Sequence, residues 1–315
     1  MVDEVNWDPA GADVELARAG ASARADRSAG VVEVLAQCRE DFALRAHRSL
    51  VLGSACADSD VAEELLKDDP ECPDRTLLYA RTVTARALRL ADRRDPRAGD
   101  VAVLASWACE QAAQAAPDDP TPYVVMLALA RVERWSEMGP VGLEHVRGPW
   151  PLLSAVRCRD DLNREGHHRF LACLFPRFGG SHDAMWSFAW YLAQVTPKNS
   201  DLQVLPLIAF AENYRTRRDA SGAPGADLWP TERAMLTALD LYEGGWLRRV
   251  LTAGFPPISD LSHVAHALLA GNQTAQAGRV LEAMGGHGAT LPWSLFGDPL
   301  IEFHRARAKC YLCPL

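Results

Sequence analysis

Proline-cornered stretches of helical periodicity constrain this chain more than any other feature of its sequence. Asp69-Pro70, Asp95-Pro96, Ala116-Pro117 and Asp119-Pro120 are such corners, because the proline ring pushes the preceding residue out of the α region. Between corners, apolar residues return every three or four positions. Val31, Val34, Leu35, Cys38, Phe42, Leu44 and Leu50 are one example, with the spacing of a helix that buries one face. Gly53 is read as the stop of that helix. Further helices are expected over residues 58–67, 74–92, 101–116, 149–162, 166–174, 182–196, 201–217, 230–243, 246–253, 260–269, 274–284 and 300–310. Another starts at Thr121-Pro122, with Thr121 as cap and proline at the first helical position. No segment alternates as a strand would, so the expected class is all-α.

The run Asp219 to Asp227, built of small residues and one proline, reads as an exposed loop. It is expected to divide an N-terminal helical lobe, 1–218, from a C-terminal lobe, 228–315. A helical array grows by adding units, so the two lobes are read as one continuous stack.

Several function classes are disfavoured. Lys+Arg 33 against Asp+Glu 41 gives a net charge of −8, which repels a phosphate backbone, so nucleic acid is not an expected partner. The longest uncharged apolar stretch, Ala184 to Val195, falls short of the roughly 20 residues needed to cross a bilayer. The first residues are acidic and no apolar segment follows them, unlike a secretory signal, so a cytoplasmic location is expected. Eight cysteines lie scattered; Cys38, Cys109, Cys158 and Cys173 sit in apolar helical patterns, where a thiol acts as a small buried hydrophobe.

Ala108-Cys109-Glu110-Gln111-Ala112-Ala113-Gln114-Ala115-Ala116-Pro117-Asp118-Asp119-Pro120 resembles the second helix of a tetratricopeptide repeat running into its turn. Ala189, Ala193 and Pro197 repeat part of the pattern 197 − 117 = 80 positions later, a spacing compatible with two units slightly longer than the usual ~34 residues. Phe175-Pro176-Arg177-Phe178-Gly179-Gly180-Ser181 and Leu291-Pro292-Trp293 resemble a bacterial family of tetratricopeptide-like proteins of unknown function. The scarcity of lysine (Lys67, Lys198 and Lys309 only) is similar to that of proteins from high-GC bacteria such as actinomycetes. The resemblance implies antiparallel helix pairs stacked as a tetratricopeptide-like α-solenoid that holds a protein or peptide partner. It brings no catalytic residues and no cofactor.

The candidate partner-binding residues are Arg177, Gly179, Gly180, Ser181, His182, Trp186 and Trp190. Gly179-Gly180 permits backbone angles that other residues avoid, and Ser181 is placed to cap the next helix. Trp186 and Trp190 are four apart and share a helix face, where they could floor a groove. The ordinary readings are a tight corner and a buried tryptophan pair. Arg215, Arg217 and Arg218 end a helix, where cations suit the dipole.

The alternative is an all-helical enzyme or metal protein using His167, His168 and His182, with Cys158 and Cys173, or the terminal Cys310/Cys313 pair near His304. The spacings match no standard zinc module, and no enzyme signature is found, so the catalytic and metal sets are read as empty. Asp118-Asp119 and Asp160-Asp161 read as turn residues. An enclosed small-molecule cleft is a third expectation that the sequence leaves open.

Overall fold

A computed structural model describes residues 5–132, 135–221, 232–252 and 254–311. Among these residues the chain is all-α, with sixteen α-helices and no strand beyond two isolated bridges. No described helix is long and apolar enough to cross a membrane. The residues group into two compact units, one over Asp13–Gly180 and the other formed by residues 5–12 with those from Ser181 onward.

In the first unit the helices are α1 (Val14–Arg24), α2 (Val31–Ala36), α3 (Phe42–Cys56), α4 (Val61–Asp68), α5 (Pro73–Asp92), α6 (Ala98–Ala115), α7 (Thr121–Leu129), α8 (Trp150–Arg157) and α9 (Arg164–Cys173). Three of their starts follow from short polar side chains. Asp13, Asp41 and Asn163 accept from the amides of Leu16, Leu44 and Gly166 at 3.0, 2.9 and 2.8 Å, each satisfying a donor that the first turn leaves unpaired. Pro73 opens α5 at a position where its missing N–H costs nothing. Small residues then let α5 and α6 pair closely: Ala80, Ala108 and Ala112 pack with Leu77, Cys109 and Val125, and Ala87 and Ala105 with Val83 and Leu129.

Buried ion pairs tie helices of this unit that are distant in sequence. Arg45 of α3 donates to Asp74 at 2.7 Å and to Asp119 at 2.5 Å, with all three side chains nearly inaccessible. Arg48 donates to Asp13 at 2.8 Å. Arg81 of α5 places both ends of its guanidinium on Glu165 of α9, each at 2.8 Å. Pairs this buried persist only when further hydrogen bonds satisfy their remaining atoms; Ser49 and the Ala46 carbonyl do so for Arg81.

The second unit comprises α10 (His182–Val195), α11 (Leu205–Ser221), α12 (Glu232–Glu243), α13 (Trp246–Thr252), α14 (Ile258–Ala270), α15 (Thr274–Ala283) and α16 (Pro299–Tyr311). Trp246, Phe188 and Phe303 are its largest fully buried side chains, and Trp246 and Phe303 pack with Leu261, Val264, Leu268, Val280 and Trp293. The N-terminal segment docks here: Asn6 exchanges backbone hydrogen bonds with Gly286 and Gly288 at 2.8 and 2.9 Å, and Trp7 meets Phe303 edge-on at 5.8 Å.

Thr121 does not cap α7, whose cap position is held by Pro120 without a side-chain hydrogen bond, and Cys158, expected among the buried thiols, is exposed. Three further expectations are corrected. Residues 31–52 do not form one helix, because Asp41 caps a new one and residues 37–41 separate α2 from α3. Gly53 does not end that helix either: it lies inside α3, where a Cβ would fall 2.4 Å from the Cβ of Arg81. Helix α1 was not anticipated. The loop expected at 219–227 falls within the second unit, where residues 219–221 complete α11 and 222–227 lie outside the described residues.

Candidate functional site

Arg177, Gly179 and Gly180 belong to the first unit, and Ser181, His182, Trp186 and Trp190 to the second. Residues Pro176–Phe178 form one turn of 3-10 helix, closed by a hydrogen bond from the Gly180 amide to the Phe175 carbonyl at 3.1 Å. Gly179 follows at φ +90°, and a Cβ on Gly180 would fall 2.1 Å from the Leu174 carbonyl oxygen. Both glycines are therefore demanded by the corner itself. The Arg177 guanidinium lies 4.4 Å from the centre of the Phe178 ring, and Arg131 lies 4.9 Å from the same ring. These are cation–π contacts that hold the turn.

Ser181 caps α10 by accepting from the Ala184 amide at 3.1 Å. Trp186 and Trp190 do share a face of α10. Their rings stack 6.4 Å apart at 15°, and both stand edge-on to Phe210, at 4.7 and 6.3 Å. Arg233 of α12 lies 3.9 Å from the centre of the Trp190 ring. The pair is half-buried against the core of its unit, so much of its aromatic area is already used. His182 is half-buried beside its capping turn.

The metal-binding alternative finds no assembled ligand set. Among the described residues, no group of three or more His, Cys, Asp or Glu is gathered as a metal site would need. The Nδ1 of His167 sits 2.8 Å from the Asn163 carbonyl; burial holds its pKa below the ordinary histidine value, although that hydrogen bond opposes the shift. Cys173 donates to the Leu127 and Arg169 carbonyls at 3.5 and 3.3 Å, while Cys158 is exposed. Cys310 packs over Gly278, and Cys313 lies outside the described residues.

An arrangement that the sequence reading passed over lies on α6. Its inner face carries Ala105, Ala108, Cys109 and Ala112, all buried. The larger apolar residues point the other way: Val103, Leu104 and Trp107 are 72%, 42% and 50% exposed. Asp100 lies one turn before this patch and Glu110 one turn after it, both exposed. Neither carboxylate has an ion-pair or hydrogen-bond partner among the described residues. Positions 100, 103, 107 and 110 share one stripe of a helix. The signal was present in the sequence, since a helix that packs through alanine must turn its larger apolar residues outward.

Protein-family models, curated proteins and solved structures yield no match to this chain.

Proposed function

We propose that this chain is a tetratricopeptide-like scaffold, a stack of antiparallel helix pairs that binds a helix of another protein along α6. The observation that carries this reading is the Val103, Leu104 and Trp107 stripe. A tryptophan half open to water, flanked by aliphatic residues and bracketed along the helix by Asp100 and Glu110, has the composition of a binding hot spot. Fully burying one such side chain contributes roughly 1.5–3 kcal/mol; these three are already partly covered, so the stripe anchors a helix and contacts around it supply the rest of the affinity. Asp100 and Glu110 select its chemistry: an aliphatic centre with Lys or Arg one turn to either side. The chain works in the cytoplasm in this reading, as an adaptor without its own chemistry.

The α10 face with Trp186 and Trp190 is the other place for a partner. The α6 stripe is preferred because Arg233 and Phe210 already cover the α10 rings. A photo-crosslinking residue placed at Leu104, and separately at Trp190, distinguishes the two in cells that express the full chain. Adducts from position 104 to a basic, aliphatic helix of a different protein, lost in the D100K/E110K variant, support the reading. Adducts only from position 190, adducts to a second copy of this chain, or none from position 104, would overturn it.

A further inference from the structure

The second unit contains a cleft unrelated to α6. Lys198, Asn199, Gly244, Gly245, Arg248, Arg249 and Thr252 line an open depression of about 510 Å³, within the size range of small-molecule sites. Its charge departs from that of the chain as a whole. The protein carries −8 overall and has three lysines, yet three of the seven residues lining this cleft are cations.

Arg249 is already neutralised. It forms an ion pair with Asp201 and donates to the Asn199 carbonyl at 2.7 Å. Asp201 also accepts from the Trp246 indole at 3.1 Å. These bonds fasten the turn after Pro197 to the start of α13 and fix one wall of the cleft. Lys198 and Arg248 are different: both are exposed, and neither has an ion-pair or hydrogen-bond partner among the described residues. Two uncompensated positive charges are thus left on a wall whose own ion pair is satisfied.

The glycines shape the remaining edge. A Cβ on Gly244 would fall 2.5 Å from the Asp240 carbonyl oxygen, so the corner admits no larger residue there. Gly245 has φ +90°, with open space where a Cβ would stand. A ligand therefore meets bare backbone at this edge.

We infer that this cleft binds a small phosphate-bearing molecule, with Lys198 and Arg248 as its cationic contacts. A guanidinium offers a planar fork that matches phosphate oxygens, and an ammonium acts as a point charge beside it. The pair complements a ligand of at least two negative charges, such as a diphosphate. Because the cleft is open to water, binding is screened by salt.

The test is isothermal titration of the full chain with pyrophosphate, inorganic phosphate and citrate at low ionic strength, then at about 0.15 M salt, where the screening length is about 8 Å. Saturable one-site binding of pyrophosphate is expected, stronger than that of inorganic phosphate or citrate and weakened at least tenfold in K198Q/R248Q. The K67Q/R93Q variant, which removes two exposed cations of the other unit, should bind as the parent does. Circular dichroism verifies folding of each variant, and K198Q alone gives the same reading if the double variant unfolds. No saturable binding, an equal loss in both double variants, no loss in K198Q/R248Q, or citrate binding as tightly as pyrophosphate would overturn the inference.

Discussion

Arg81 and Glu165, 84 positions apart in sequence, meet through two parallel hydrogen bonds of 2.8 Å in a nearly inaccessible site. Arg169 adds a second cation at 3.0 Å. Burial alone would raise the pKa of Glu165, but the Arg81 and Arg169 charges and hydrogen bonds outweigh it and hold the carboxyl at about 2, against an ordinary 4.5. The folded state therefore binds this proton less readily than the unfolded one. The stabilisation is complete above about pH 4.5 and is lost as pH falls through about 2. Glu165→Ala should cost roughly 3–5 kcal/mol, because it strands a buried guanidinium. An R81M/E165L double variant should be much closer to the parent than either single change. Chemical denaturation at pH 7 measures both, and a Glu165→Ala cost below about 1 kcal/mol would contradict the buried-pair account.

The same arginine explains Gly53. A Cβ there would sit 2.4 Å from the Arg81 Cβ and 2.9 Å from the Arg81 carbonyl carbon. The second of these is backbone and cannot swing aside. Gly53→Ala gains up to about 1 kcal/mol in helix propensity, yet overpacking at a helix contact costs about 1–3 kcal/mol. The expected net result is destabilisation and a lower melting temperature, measured by circular dichroism. A more stable variant would mean that α3 and α5 do not cross this closely.

These two residues also show where the sequence was readable. Local chemistry was legible: the Ser181 cap, the proline corner before α7 and the bounds of α10 follow from neighbouring residues, and the structure has them. Gly53 was misread as a stop because glycine usually marks a helix end, while its reason here is a helix 28 positions later. The pairing of Arg81 with Glu165 leaves no local trace, since any of the many arginines could face any carboxylate. The candidate residues at 177–190 stood out by composition, but composition does not say that Arg233 lies over Trp190. The α6 stripe could have been read from the alanines opposite it.

Trp107 and Trp246 should respond to substitution by very different amounts. Trp107 is half exposed on α6, whereas Trp246 is fully buried in the other core. Trp107→Ser should cost about 1–2 kcal/mol, since half of the ring is covered, and lower retention on a phenyl matrix. Trp246→Ala should cost about 3–5 kcal/mol and also leave Asp201 without its indole donor. Equal destabilisation by both would mean that the α6 stripe is packed against something in the isolated chain.

His266 provides a pH signature in the second unit. Its ring stacks on Phe296 at 4.5 Å and meets Trp293 edge-on at 5.0 Å, and Phe296 stacks in turn on Tyr214 at 4.8 Å. Desolvation among these rings, with a smaller contribution from His263, lowers its pKa from 6.5 to about 3. The unfolded chain takes up this proton near pH 6.5 and the folded chain does not, so the neutral ring's contribution is complete above about 6.5. It declines as pH falls and is fully lost near 3. One such proton changes stability by at most about 1.4 kcal/mol per pH unit. Carboxylates titrate in the lower part of this range, so the informative quantity is the difference between parent and variant. His266→Phe keeps an aromatic ring against Trp293 and Phe296 but cannot be protonated. Denaturation midpoints measured between pH 7 and 4.5 should therefore fall less steeply for the variant, and parallel curves would show that the folded state protonates His266 as readily as the unfolded chain does.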